Sequence, residues 1–369
     1  MIYFIIFILT SILFYLAEKS KFKVVFNIIS YLAIIILSTF AGVRDITVGT
    51  DILIYGIDTF NVARFFRDLF HSFSIVAHKS DFLFYLINYI VATFTDEYNI
   101  LLFAISFIQN SLVFEACKKY YPPAPIWIMM LIYMLFFYNL TLNLMRQGLA
   151  MAFTLWSMKF FRQEKLRELI ICAIIAFLLH KSSLVVYFVI FAVYWAYKQP
   201  ERARARILRV EVIAAAVGVV GFGFIIKMIS ANIPLLSKFS RYGNDSDFAS
   251  GVSSMDVLLR IMMFCVSFVL KKEENVKTVY ILNMFLVADL AGQFLGIYAY
   301  YTTRITFYFL LIEIPYLVSI IHSNHIKKGT SVIIVSIIIG YLSVYCYRFN
   351  ILERNNETYP YTSKIIHIE

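Results

Sequence analysis

The stretch "FAGVRDITVGTDILIYGIDTF", residues 40–60, sets Arg44, Asp45, Asp51, Tyr55 and Asp58 against the end of an apolar segment. Only 15% of the chain is charged, so such a density of polar groups calls for a cause. Gly49 suits a turn, and Thr50 suits the cap of a short helix after it. On that helix Asp51, Tyr55 and Asp58 stand at i, i+4 and i+7 and are expected to share one face. A carboxylate face of this kind can take up or release protons; a solvated interfacial helix would carry the same charges. Arg44 and Asp45 weigh toward a site, because charge at the end of an apolar segment is costly unless it is paired.

A second constellation is "NLTLNLMRQGLAMAF", residues 139–153. Asn143 is expected to cap the following helix, which puts Arg146 and Gln147 in its first turn. Free backbone N–H groups, the positive end of the helix dipole and a guanidinium together can hold an anion; the alternative is an arginine snorkelling to lipid phosphates. His180 closes an apolar run of about a dozen residues, nearly 20 Å as a helix against a hydrocarbon core of about 30 Å. Its imidazole exchanges protons near neutral pH and is a candidate acid or base, or else a hydrogen-bonded structural group. Arg304 opens another apolar run behind Tyr298, Tyr300 and Tyr301. Those rings read as an aromatic belt or as a platform for the apolar faces of sugars. Asp289 and Glu313 fall inside apolar runs and read as structural pairs, with Gln293 or Arg260 as the expected partner of Asp289.

The elements that position these groups follow from composition. The chain has 369 residues, 61% of them hydrophobic, with a mean hydropathy of +0.78. That excludes an ordinary soluble domain and predicts an all-α polytopic membrane protein, one integral-membrane domain over residues 1–369. Spans are expected at 1–17, 24–41, 125–141, 143–161, 168–180, 182–197, 211–230, 256–270, 276–298, 304–321 and 330–346. One net crossing is expected in 82–116, where 82–95 reads as a short, re-entrant or interfacial piece. The total is about twelve crossings, in a range of roughly 10–14. The first run lacks a basic leader and a cleavage site, so it reads as a retained span. Basic clusters ("KSKFK", "CKKYY", "RQEKLR", "KQPERARARILR", "KKEENVK", "HIKK") fall between alternate spans, and topology accounts for the net charge of +10 without nucleic acid. This layout places 42–81, the turns near Asn143 and His180, 231–255 and the tail 347–369 on the exoplasmic side. The four cysteines are scattered within or beside apolar runs and read as packing residues. There is no glycine-rich phosphate loop and no metal-ligand spacing, so neither cofactor nor metal is expected.

The ordered blocks "GVRDITVGTDILIY" (42–55), "NLMRQGLA" (143–150), "LHKSSL" (179–184), "RITFYFLLIEIPYL" (304–317) and "ETYPYTSKI" (357–365) resemble the EpsG-type, or Wzy-like, polysaccharide polymerases. Lys181, directly after His180, departs from the family pattern. The resemblance implies a GT-C-like helical bundle in the bacterial inner membrane with an exoplasmic active site. It implies an enzyme that transfers a growing glycan from undecaprenyl diphosphate onto an incoming lipid-linked repeat unit of O-antigen, capsule or exopolysaccharide. Substrate binding would fall to Arg44, Tyr55, Arg146, Gln147, Tyr301 and Arg304, and the general base to Asp45, Asp51 or His180. Arg44 would pair with or orient Asp45. The implied partners are the lipid-linked oligosaccharide, membrane lipids, a flippase and a chain-length regulator. A flippase of lipid-linked sugars and an O-antigen ligase are the alternatives. A flippase favours repeated halves and mid-membrane polar sites; here no repeat is evident, and the polar groups sit mainly at exoplasmic helix ends.

Overall fold

The computed structural model describes residues 2–368 except 67, 121–123, 233–252, 299, 300 and 324, with backbone alone for 223–232. Most of the expected 231–255 loop, and Tyr300, lie outside the described residues. Among the described residues the chain is helical, with an isolated bridge between Ser363 and Ile368 and no strand. In order come α1 (Ile2–Lys19), α2 (Lys23–Gly42), a wide-turned segment Ile52–Gly56, α3 (Ile57–Phe65), α4 (Leu69–Val76), α5 (Phe82–Ala92) and α6 (Tyr98–Cys117). Next are α7 (Ile126–Tyr133), which runs through a wide turn into α8 (Asn139–Asn143), then α9 (Met145–Arg162), α10 (Leu166–Leu179) and α11 (Ser183–Tyr197). The last are α12 (Glu201–Asn232), α13 (Ser254–Val269), α14 (Val276–Leu295), α15 (Tyr301–Ile321) and α16 (Lys328–Cys346).

Among the described residues seven helices are long and apolar enough to cross a membrane, so the chain is a multi-pass membrane protein. They are Ile2–Lys19, Lys23–Gly42, Tyr98–Cys117, Ile126–Asn143, Glu273–Leu295, Tyr301–Ile321 and Lys328–Leu352. The other expected spans are helical but shorter or more charged. Helix α9 carries Arg146, Lys159 and Arg162, and α10 has 14 residues. The disputed 82–116 region resolves into α5, 11 residues long, and the full-length α6. At 1.5 Å per residue α5 reaches about 16 Å, far short of a bilayer core. Cys117, Cys172 and Cys346 are buried as packing groups, whereas Cys265 faces outward.

The chain divides into two compact units, Met1–Ser183 with Lys327–Glu369, and Leu184–Ile326. In the first, α2 lies against α1 and α6, α6 against α9, and α9 against α10. The approach of α9 to α6 is close: a Cβ at Gly148 would meet Gln109 Nε2 at 2.6 Å. Gln109 Nε2 also donates to the Met145 carbonyl at 3.1 Å, fixing the start of α9. In the second unit, α14 packs against α12, α13 and α15. Arg260 is fully buried there, and its Nε donates to Asp289 Oδ2 at 2.7 Å while Nη1 donates to the Asp256 carbonyl at 2.9 Å. Arg260 is thus the partner of Asp289, and Gln293 donates instead to Thr306 at 2.6 Å. Glu313, also fully buried, finds no hydrogen-bond partner among the described residues on either carboxyl oxygen.

Candidate functional site

The first unit brings three distant sequence blocks together around the break between α8 and α9. Arg44, 2% exposed, donates from Nη1 to the Ala41 carbonyl and from Nη2 to the Leu142 carbonyl, each at 2.9 Å. It therefore ties the end of α2 to that break. Asp45 goes elsewhere: its backbone N–H donates to the Thr362 carbonyl at 3.0 Å, and Oδ1 accepts from the Lys364 N–H at 2.9 Å. The expected Arg44–Asp45 partnership gives way because each finds backbone partners, one inside the bundle and one on the tail. The tail is clamped further by Tyr361, stacked on Phe40 with centroids 4.1 Å apart, and by Tyr3 donating to the Thr358 carbonyl at 2.6 Å. Asp45, Ser363, Lys364 and His367 line a cavity of about 450 Å³ beside it.

Gly49 has φ +96°, the left-handed region that glycine tolerates, and a Cβ there would meet the Leu142 carbonyl at 3.1 Å. Its turn presents Thr50 and Asp51 to Asn143, whose Oδ1 accepts from the Asp51 N–H at 3.1 Å and from Thr50 Oγ1 at 3.3 Å. This corrects the expected cap: Asn143 caps the Asp51 segment, while the N-cap of α9 is Leu144, which makes no side-chain capping bond. The carbonyls of Gly42 and Arg44 both accept from Asn99 Nδ2 on α6. Sequence spacing could not reveal these pairings, since they join residues far apart in the chain.

Around this frame lies a continuous polar path. Tyr55 donates from its hydroxyl to Asp51 Oδ2 at 2.6 Å. Burial and that carboxylate push the Tyr55 hydroxyl well above the ordinary tyrosine range, so it remains a donor. The Arg146 guanidinium lies over the Tyr55 ring, 4.0 Å from its centroid. Arg146 Nη1 donates to the Lys79 carbonyl at 2.8 Å and approaches Asp81 Oδ2 at 3.4 Å. The same Asp81 oxygen lies 3.2 Å from His180 Nδ1. Arg146 and His180 are 22% and 26% exposed, so both reach solvent while Asp81 is at 6%. Gln147 is buried in the first turn of α9, as expected from its position. Asp58 leaves the face of Asp51 and Tyr55 and pairs with Lys79 at 3.0 Å. The wide turn at Ile52–Gly56 breaks the 3.6-residue register that would have aligned the three.

Asp81 is the residue that sequence reasoning missed. It precedes the apolar run "SDFLFYL", a carboxylate at the foot of an apolar segment, as Asp45 is at the end of one. It occupies the N-cap of α5 but makes no capping bond, whereas Asp68 caps α4 by accepting from the His71 N–H at 2.6 Å. An aspartate at this position ordinarily spends its side chain on its own helix. The carboxylate of Asp81 is directed to Arg146 and His180 instead. Lys79 continues the site into an open groove of about 570 Å³ between α3 and α4, lined also by Asp58, Asn61, Phe65, Phe66 and His78.

Arg304 and Tyr301 belong to the second unit, where the guanidinium lies 5.9 Å from the Tyr301 ring centroid at the start of α15. Among the described residues no group of three or more His, Cys, Asp or Glu side chains is arranged to hold a metal ion.

The family model for the EpsG family matches residues 27–363, which includes Arg44, Asp51, Tyr55, Asp81, Arg146 and His180. The chain belongs to the EpsG family. Membership carries a broad polysaccharide polymerase-type function, glycosyltransferase-like, at a membrane. Comparison with curated proteins and with solved structures finds no match. In this EpsG-family chain the blocks at 42–55, 143–150 and 179–184 meet around Arg146, and the block at 357–365 supports them from behind Val43 and Asp45, to which Ser363 and Lys364 donate.

Proposed function

We propose that this protein lengthens a surface polysaccharide from undecaprenyl-diphosphate-linked repeat units, transferring the growing chain onto the sugar of an incoming unit. The observation that carries this is the partly exposed Arg146 guanidinium in the first turn of α9, next to a proton-exchanging imidazole. A departing diphosphate gathers negative charge, and a fixed guanidinium at a helix N-terminus stabilises it. Gln147 assists Arg146, and Tyr55 holds the guanidinium in place. Of the two lipid-linked diphosphates, the second falls to Arg304, with Tyr301 as a sugar platform. The acceptor hydroxyl gives its proton to Asp45, Asp51 or His180, and Arg44 serves as the scaffold of the anion site. The groove beside Lys79 offers room and aromatic surface for a sugar.

The same reading places about twelve crossings in the bacterial inner membrane, with a GT-C-like arrangement and the site on the exoplasmic face. A flippase and a chain-length regulator are its partners, and neither metal nor cofactor takes part. The test is to compare lipid-linked and surface glycans from a strain lacking the gene with the complemented strain. A ladder that collapses to one repeat unit on an intact anchor is the expected result. Full-length polymer retained on its lipid carrier would mean a ligase, and units trapped on the cytoplasmic leaflet would mean a flippase.

A further inference from the structure

Asp81 Oδ2 touches both groups that the polymerase reading needs, the anion holder and the imidazole. An aspartate that is 6% exposed, does not cap its own helix and faces a histidine nitrogen at 3.2 Å restricts that histidine to one tautomer. A carboxylate only accepts, so the proton must sit on Nδ1, and Nε2 is left with its lone pair. The backbone reinforces this arrangement. His180 leaves the end of α10 in an extended conformation, φ −162°, ψ 124°. Its N–H still donates to the Ala176 carbonyl at 2.9 Å, so the ring hangs from a fixed point.

We infer that Asp81 is the positioning residue that makes His180, rather than Asp45 or Asp51, the general base of the transfer. The inference rests on the proposed polymerase reading. The other two candidates have other duties: Asp51 Oδ2 accepts from Tyr55, and Asp45 Oδ1 accepts from the tail. In the step, Nε2 removes the proton from the acceptor sugar hydroxyl as its oxygen bonds to the anomeric carbon of the donor glycan. The bond from that carbon to the diphosphate oxygen breaks, and its electron pair leaves with undecaprenyl diphosphate beside Arg146. The imidazolium formed is stabilised by Asp81 and then releases its proton to water. Because one oxygen serves both Arg146 and His180, the proton acceptor and the leaving-group cation are held at a fixed separation. Asp81 at the start of α5 faces the ring, Arg146 from α9 shares the same carboxylate oxygen, and Lys181 follows His180 in the chain.

The test uses the full-length protein in nanodiscs with two readouts. In the first, ¹⁵N-histidine NMR of the wild type, with His180→Gln to assign the signal, reports the tautomer without any substrate. A His180 protonated on Nδ1 and bare on Nε2 is expected, and Asp81→Asn should convert it to a mixture. A His180 protonated on Nε2 in the wild type overturns the inference, whatever the protein polymerises. In the second, lipid-linked repeat units extracted from the deletion strain are supplied as both donor and acceptor. Asp81→Asn is expected to lower kcat by about 100-fold or more with a smaller change in KM. A wild type that polymerises while Asp81→Asn keeps its kcat also overturns the inference. A wild type that shows the expected tautomer but no polymerisation refutes the polymerase reading on which the proposed step depends, and with it the step.

Discussion

Each unit of this protein contains an arginine next to an aspartate, and the two pairs behave differently. Arg260 and Asp289 are both completely shielded, 2.7 Å apart, and the guanidinium is bonded further to backbone. Arg146 and Asp81 are looser, 3.4 Å apart, with the arginine 22% exposed and the carboxylate shared with His180. Removing two charges from water costs several kcal/mol per ion, and only close geometry with further hydrogen bonds offsets it. The buried pair meets that condition and holds helices together. The open pair leaves part of its bonding capacity unspent, which is what the proposed anion site requires. Charge density alone does not separate the two pairs; partial exposure and a shared oxygen do.

The largest effect should come from breaking the closed pair. Arg260→Leu leaves Asp289 buried without its cation and is expected to cost about 3–5 kcal/mol, read as a drop in the thermal unfolding midpoint in detergent. The double change Arg260→Leu with Asp289→Leu should recover most of that loss; if it does not, the pair is more than a neutralised contact. Arg146→Ala should act on function instead, lowering the polymerisation rate by about 100- to 1000-fold with the unfolding midpoint nearly unchanged. Arg146→Lys should fail similarly, because an ammonium lacks the planar fork that stacks on Tyr55. Full polymer length with either variant would remove Arg146 from the site.

Smaller changes sharpen the contrast by testing the frame around the open pair. Gly49→Ala, at φ +96° and against the Leu142 carbonyl, should cost about 1–3 kcal/mol in the same unfolding measurement. Tyr55→Phe keeps the ring under Arg146 but removes the donor to Asp51, and should cost about 1 kcal/mol and roughly fivefold in rate. Asp58→Asn breaks the exposed pair with Lys79, 57% and 41% exposed, and should change stability by less than about 1 kcal/mol. A large loss there would mean that the groove between α3 and α4 is held by that pair.

The sequence by itself determined the class of the protein and the positions of its helices. Apolar runs of bilayer length leave the backbone no option but to bond within each segment, so α1, α2, α6, α14, α15 and α16 begin and end close to where the apolar runs do. It also singled out Arg146 at a helix start and His180 at a helix end as candidates, because charge stands out against an apolar background. The tertiary structure decided which polar groups meet. Asn143 caps a segment 92 residues away, Arg44 and Asp45 part company, and the wide turn at Ile52–Gly56 rotates Asp58 out of line. Asp81 became visible only in three dimensions, since an aspartate before a helix reads as a cap. The reason is common to all of them. Local spacing fixes direction within one helix, but in a nearly water-free interior each polar group takes whatever partner the packing of other helices brings within about 3 Å.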